Sequence, residues 1–418
     1  MRWLPGFLAA ALLLSTLEAR PQDALRIGTS GDYTPFSVAV EEGEGSTRYA
    51  GFGPELGRAY AKDRGLSPRF VAFRWPELMS DLEAGRFDVV MSGITVRPER
   101  SLAGRFTSPV ARSGAVALVP TDAAFASAAD LDAPGVRIGV NAGGHLERTA
   151  RKHFPRAAIV AVPDNRAVMA ALQSGSVEAV ITDTREAPHW QAETEGLRVV
   201  GPFTRDSKAI WVRNDLPDLA RDLDAWLLAR ELDGQMSAWR KQHLGDSPES
   251  EINRPVLDAL LAAMAERLAL MPLVAEAKRR AGSPVEVPER EARVIEAALG
   301  QVRKSEALSG VAKSQRLPAE AVRQFFVAQI EAAKAIQRAA LAEPAPGGGG
   351  PTPSLDNTLR PALLRIGERI ARLIVRLPAG IPAQVIRPRS EREFSGLGLP
   401  QPRVTALARG IAGLRPAP

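Results

Sequence analysis

Between Leu25 and about Gly245, short apolar or β-branched runs alternate with stretches of helical periodicity. LRIGTS (25–30), RFVAF (69–73), VVMSGITV (89–96), VRIGV (136–140), AIVAV (158–162), AVITD (179–183) and AIWV (209–212) read as strands, and 53–64 and 76–84 as helices. Strands alternating with helices predict an α/β region. From Pro255 onward the strand signal vanishes. Ala, Leu, Glu, Arg and Lys dominate, with apolar positions every three or four residues, which predicts an all-helical second half.

The polar, proline-punctuated DSPESEINRP (246–255) separates the two regimes. The expected organisation is therefore an α/β domain over 25–245, a linker over 246–254 and a helical domain over 255–418. AEPAPGGGGPTPS (342–354) cannot hold a helix, but periodicity resumes at Leu355, so it is expected to join two helices of one domain. No role for the tail from about Ile381 is legible. At the other end, Met1 and Arg2 precede an apolar run from Trp3 to Leu17 and a small-residue site at Leu17-Glu18-Ala19. This predicts a signal peptide over 1–19 and a periplasmic or secreted protein. The run is broken by Pro5 and is short of the roughly 20 residues a membrane span needs, so no stable membrane insertion is expected.

The 418 residues, 45% of them hydrophobic, suffice for two or three domains. Lys and Arg outnumber Asp and Glu by 54 to 48, but they are dispersed and aromatics are only 5%. Small anionic substrates fit this better than nucleic acid. The absence of cysteine excludes disulfides, zinc thiolates and cysteine nucleophiles. His145, His153, His189 and His243 are scattered and there is no GxSxG, so neither a metal nor a Ser-His-Asp site is expected. GFGPELG (51–57) has the wrong glycine spacing for a dinucleotide loop. No cofactor is expected; an oligomer is open.

Arg267 and Lys278 are eleven residues apart, which places them within about 20° of one helix face, three turns apart. They border an apolar surface formed by Leu268, Leu270, Met271, Leu273, Val274 and Ala277. A cation there costs free energy unless paired. GSPVEVP (282–288) ends the helix, and Arg290 follows at the start of the next. In QFFVAQIEAAKAIQ (324–337), Gln329, Ala333 and Gln337 form one stripe. Cations and amides from three helices converge on an anion in this reading; solvated surface ion pairs are the alternative.

ERLALMPLVAEAKRRAGSPVEVPERE and VRQFFVAQIEAAKAIQ resemble the secreted, gamma-type all-helical chorismate mutases, over about residues 255–376. The resemblance implies rearrangement of chorismate to prephenate with no cofactor and no covalent intermediate. It implies that Arg267 binds a carboxylate, Lys278 donates to the ether oxygen and a carboxylate, Arg290 and Glu291 hold the ring hydroxyl region, and Gln337 donates to the breaking ether bond. Arg360, nine residues before Arg369, matches a further carboxylate-binding arginine. Ala333 departs from the pattern, where relatives often carry Ser or Thr.

GDYTPF (31–36), YAGF (49–52), WPELM (75–79), RFDVVMSGITVRPER (86–100) and TDTREA (182–187) resemble the amino-acid-binding branch of the two-lobed periplasmic binding proteins and, more closely, cyclohexadienyl dehydratases. By that resemblance Arg100 clamps a carboxylate with help from Thr95, Asp183 faces them across the cleft, and Glu186 is the acid that dehydrates prephenate or arogenate. Tyr33, Phe36 and Trp75 are candidate ring walls, Trp75 foremost. Ala115 and His145-Leu146 depart from the dehydratase pattern, and Lys208 or His145 is the candidate to compensate. The implied protein is a bifunctional enzyme of phenylalanine biosynthesis; the alternative is a mutase fused to a non-catalytic solute-binding module.

Overall fold

The computed structural model describes residues 24–43, 45–245, 254–344 and 352–416. The expected signal peptide and all but the last residue of the expected linker lie outside them.

Residues 24–245 fold into two lobes. In the first, strands lie in the order Ser67–Ala72, Ala24–Thr29, Val89–Thr95, Asp206–Arg213, Gly104–Ser113. The first three pair in parallel and the last two join antiparallel. The second lobe has the order Ala158–Val162, Arg137–Asn141, Ala179–Asp183, Ala115–Pro120, Leu197–Val200. Side chains alternate between faces, so Val89 and Met91 enter one core and Val90 and Ile94 the core behind the sheet. Both faces are covered, which is why these strands read as continuous apolar runs.

The chain crosses between lobes twice. It leaves the first along Gly104–Ser113, turns at Gly114 into Ala115–Pro120, and returns into Asp206–Arg213. The two crossing strands pair side by side, Asp206 opposite Ser113, and make the hinge of the cleft. The 53–64 periodicity is the helix Phe52–Arg64; 76–84 is a single tight turn followed by the short helix Leu78–Glu83. The glycines of GFGPELG serve packing: a Cβ at Gly53 would lie 2.0 Å from the Met91 carbonyl oxygen.

The second half packs helices Pro255–Ala269, Met271–Arg280, Pro288–Leu308, Ala319–Ala342, Arg360–Arg376, Ala383–Glu393 and Gln401–Leu414 around one core. Helices 319–342 and 360–376, on either side of the Gly/Pro interruption, both contribute to that core. Two expectations change. The stretch carrying Arg267 and Lys278 is not one helix; it breaks at Leu270, because Pro272 has no N–H to continue the ladder. The tail from Ile381 also has a role, since Val404, Leu407, Ala408, Ile411 and Leu414 are buried in the same core.

Candidate active sites

The interlobe cavity is lined by Tyr33, Trp75, Gly93, Thr95, Arg100, Asn141, Gly144, His145, Leu146, Asn165, Glu186 and Lys208. The lobes are closed over it: Asn165 Nδ2 of the second lobe donates to the Asp32 carbonyl of the first at 2.8 Å, and the Tyr33 hydroxyl donates to Asp183. Gly93 sits mid-strand at φ 68, where a Cβ would lie 2.7 Å from the Tyr33 ring, so glycine lets this ring lie on the sheet.

Arg100, from the short helix Pro98–Ala103, is 1% exposed. Its Nη1 donates to the Thr95 carbonyl at 3.1 Å, and its buried Nε has no partner among the described residues. Burial and the neighbouring Arg97 and Arg148 push it well down. A buried guanidinium without a carboxylate is costly, and an incoming carboxylate supplies the missing countercharge.

Glu186, also 1% exposed, follows the strand carrying Asp183. Its Oε1 accepts from Asn165 Nδ2 at 2.8 Å and its Oε2 lies 2.6 Å from Thr182 Oγ1. Burial pushes this carboxyl well above the ordinary range, and the Asp183 and Asp32 charges add to the effect against those two hydrogen bonds. It faces the cavity as a carboxyl whose surroundings favour the protonated form.

Asp183 is different. It is fully buried behind the cavity wall, 3.1 Å from Lys208 Nζ, and accepts from Tyr33. Burial would raise it, but Lys208, the Tyr33 hydroxyl and the Arg185 amide outweigh burial and hold it low. The sequence-based placing of Asp183 against a ligand is thus displaced one layer outward, and Lys208 Nζ reaches the cavity instead, 3.0 Å from Thr95 Oγ1. Ala115 lies opposite Asp183 in the sheet, fully buried. Of the two candidates to compensate for Ala115, Lys208 lines the cavity beside Asp183, and His145 lies 3.0 Å from Asp206 at the cavity edge. Trp75 lines the cavity, its Nε1 held 3.0 Å from Asp32, whereas Phe36 lies buried outside the lining. Sequence reading missed Asn141 and Asn165: each is a lone amide at a strand end or turn with no spacing signal.

In the helical half, Lys278, Arg290, Glu291 and Arg360 come within electrostatic reach of one another from three helices. Burial, with Arg290 and Arg360, lowers the Lys278 ammonium against the pull of Glu291. Lys278 Nζ donates to the Val285 carbonyl at 3.0 Å. Glu291 is 3.1 Å from Lys334, and Arg360 pairs with Asp356. Burial pushes Arg267 down to about 10. Gln337 Nε2 touches Met271 Sδ at 3.5 Å and donates to the Ala333 carbonyl at 3.3 Å. Arg267 Nη1, Gln337 Oε1, Arg360 Nε and both polar atoms of Gln329 are buried without partners among the described residues. Such groups are normally satisfied, and their concentration on these helices marks a site for a polar ligand.

A two-lobed cleft hinged on two paired strands, with a buried arginine at its floor, defines a solute-binding protein. The chain belongs to the bacterial extracellular solute-binding proteins, family 3, whose model matches residues 25–246. Residues 257–338 match the chorismate mutase type II model. The cyclohexadienyl dehydratase of Pseudomonas aeruginosa is 32% identical over 248 residues, 56% of this chain and 91% of that protein. The L-cystine-binding protein TcyJ of Escherichia coli is 25% identical over 232 residues, 54% of this chain and 85% of that protein. A solved structure of an ancestral arginine-binding protein bound to glutamine is 25% identical with a TM-score of 0.50, covering 54% of this chain and all (100%) of that one.

Proposed function

We propose that this chain is a bifunctional enzyme that rearranges chorismate to prephenate in its helical half and dehydrates and decarboxylates prephenate to phenylpyruvate in its two-lobed half. The observation that carries the second activity is the buried Glu186, its carboxyl pushed well above the ordinary range by burial, facing the same cavity as Arg100, whose buried Nε has no partner among the described residues. A binding protein needs a countercharge such as Arg100; it does not need a carboxyl group held as an acid.

Arg100 takes one substrate carboxylate with Thr95 beside it, while Tyr33 and Trp75 wall the ring. Glu186 gives its proton to the departing ring hydroxyl. As that C–O bond breaks, the bond to the ring carboxylate breaks too; its electron pair completes the aromatic ring, and water and carbon dioxide leave. Asp183, already paired with Lys208 and Tyr33, offers little to an ammonium, which favours the keto acid prephenate over the amino acid arogenate.

In the helical half Arg267 and Arg360 bind the two carboxylates of chorismate, Arg290 and Glu291 hold its hydroxyl region, and Lys278 and Gln337 donate to the ether oxygen as negative charge grows there. Neither reaction uses a metal or cofactor in this account. We further place the chain in the periplasm or outside the cell, on the apolar run at its start and the extracellular character of its family. No helix of the described residues is long and apolar enough to cross a membrane.

Purified protein given prephenate tests the dehydratase reading: it forms phenylpyruvate, and arogenate is turned over more slowly. Tight prephenate binding with no turnover would leave a solute-binding module.

A further inference from the structure

The helix Ala383–Glu393 ends against the hinge of the other half. Glu393 Oε1 lies 2.8 Å from Arg112 Nη1, with side chains 9% and 8% exposed. Arg112 is the second-to-last residue of the strand leaving the first lobe, and its guanidinium also donates to Ser207 Oγ on the returning strand. Ser207 precedes Lys208, which reaches the cavity. The Arg112 carbonyl accepts from Arg185 Nε at 2.8 Å, and the Arg185 and Glu186 amides both donate to Asp183 Oδ1, at 2.9 and 3.2 Å. One hinge residue therefore touches the neighbour of the ammonium through its guanidinium and the neighbour of the acid through its carbonyl, and the guanidinium's countercharge comes from the helical half.

The helix bearing Glu393 is itself anchored: Arg389 lies 2.8 Å from Asp258 on helix 255–269. Nearby, Arg365 donates to the Ser101 carbonyl at 3.2 Å and Arg369 to the Phe106 carbonyl, fastening the segment that follows Arg100. A buried pair contributes little net stability but is strongly disruptive when one partner is lost, so its place at the hinge points to geometry.

We infer that Glu393 is a positioning residue for dehydration: through Arg112 it sets Lys208 and Glu186 in register across the closed cleft, so the helical half is part of the dehydratase as well as a mutase. This rests on the dehydratase reading above. In Glu393→Gln the Arg112 cation loses its partner, and both crossing segments are free to shift. A shift of about 1 Å at a catalytic group costs up to about 100-fold in rate.

The test uses the full chain. Glu393→Gln and Glu393→Asp are each assayed with prephenate and, separately, with chorismate. The expected result for Glu393→Gln is a roughly 10-fold or greater fall in kcat for prephenate, with KM changed less than about 3-fold because Arg100 still binds the carboxylate, and chorismate turnover within about 2-fold of wild type. Glu393→Asp recovers part of kcat. Wild-type kinetics on prephenate in Glu393→Gln overturns the inference while leaving the dehydratase reading intact. Equal loss of both activities in both variants makes the pair a folding element and also overturns it. A wild-type chain that does not convert prephenate overturns the reading beneath it.

Discussion

Lys208 and Asp183 stand 3.1 Å apart from opposite lobes, the first facing the interlobe cavity and the second behind its wall. Their pairing neutralises the Asp183 carboxylate one layer behind the cavity lining. Lys208→Met exposes Asp183, and the expected outcome is a shift of the ratio of kcat/KM toward arogenate of at least about 10-fold, from the altered charge complementarity. Steady-state comparison of the two substrates checks this; an unchanged ratio removes Asp183 from the account of specificity.

Glu186 titrates with a consequence for stability as well as rate. Its folded value lies above the unfolded one of about 4.3, so between the two the folded chain binds the extra proton and stability falls as pH rises. Glu186→Gln, which keeps the contacts to Asn165 and Thr182 but cannot ionise, is expected to unfold about 2–4 °C higher than wild type at pH 8, with a smaller gain at pH 4.5. Scanning calorimetry at the two pH values decides it. Dehydration by the wild type falls as pH rises through the same window.

Lys278→Ala is expected to lower chorismate turnover at least about 100-fold, the effect of losing a transition-state donor. Burial and the adjacent arginines lower this ammonium, so the wild-type rate declines on the alkaline side before an ordinary lysine, near 10.4, would deprotonate. A pH–rate profile measures both.

Gln337 donates as a neutral amide, so mutase activity is expected to be nearly flat through neutral pH. Gln337→Glu must be protonated to donate, and its activity falls as pH rises. A flat profile for the variant would take Gln337 away from the ether oxygen.

The α/β and helical halves were legible because their periodicities differ and their strands are buried on both faces. Arg267, Lys278 and Gln337 stood out in the sequence as cations and an amide bordering apolar stripes, and Arg290 as a cation placed by the turn at 282–288. What was not legible depends on three-dimensional return. Lys208 comes to the cavity because the two crossing strands bring residues 111–113 beside 206–208. Asp183 recedes because Lys208 and Tyr33 close on it from the other lobe. Asn165 meets Glu186 across 21 residues with no motif between them. The break at Leu270 follows from Pro272, which spacing alone overlooked. The role of the tail was hidden because apolar positions such as Val404 and Leu407 show their use only once helix 319–342 lies against them.

One chain is expected to carry chorismate through prephenate to phenylpyruvate, with Glu186 as the acid of the second step. This is tested most directly by giving chorismate alone to purified wild type and Glu186→Gln and following prephenate and phenylpyruvate over time. Wild type is expected to form phenylpyruvate after a lag, and the variant to accumulate prephenate without phenylpyruvate. Phenylpyruvate formed at the same rate by both would contradict it.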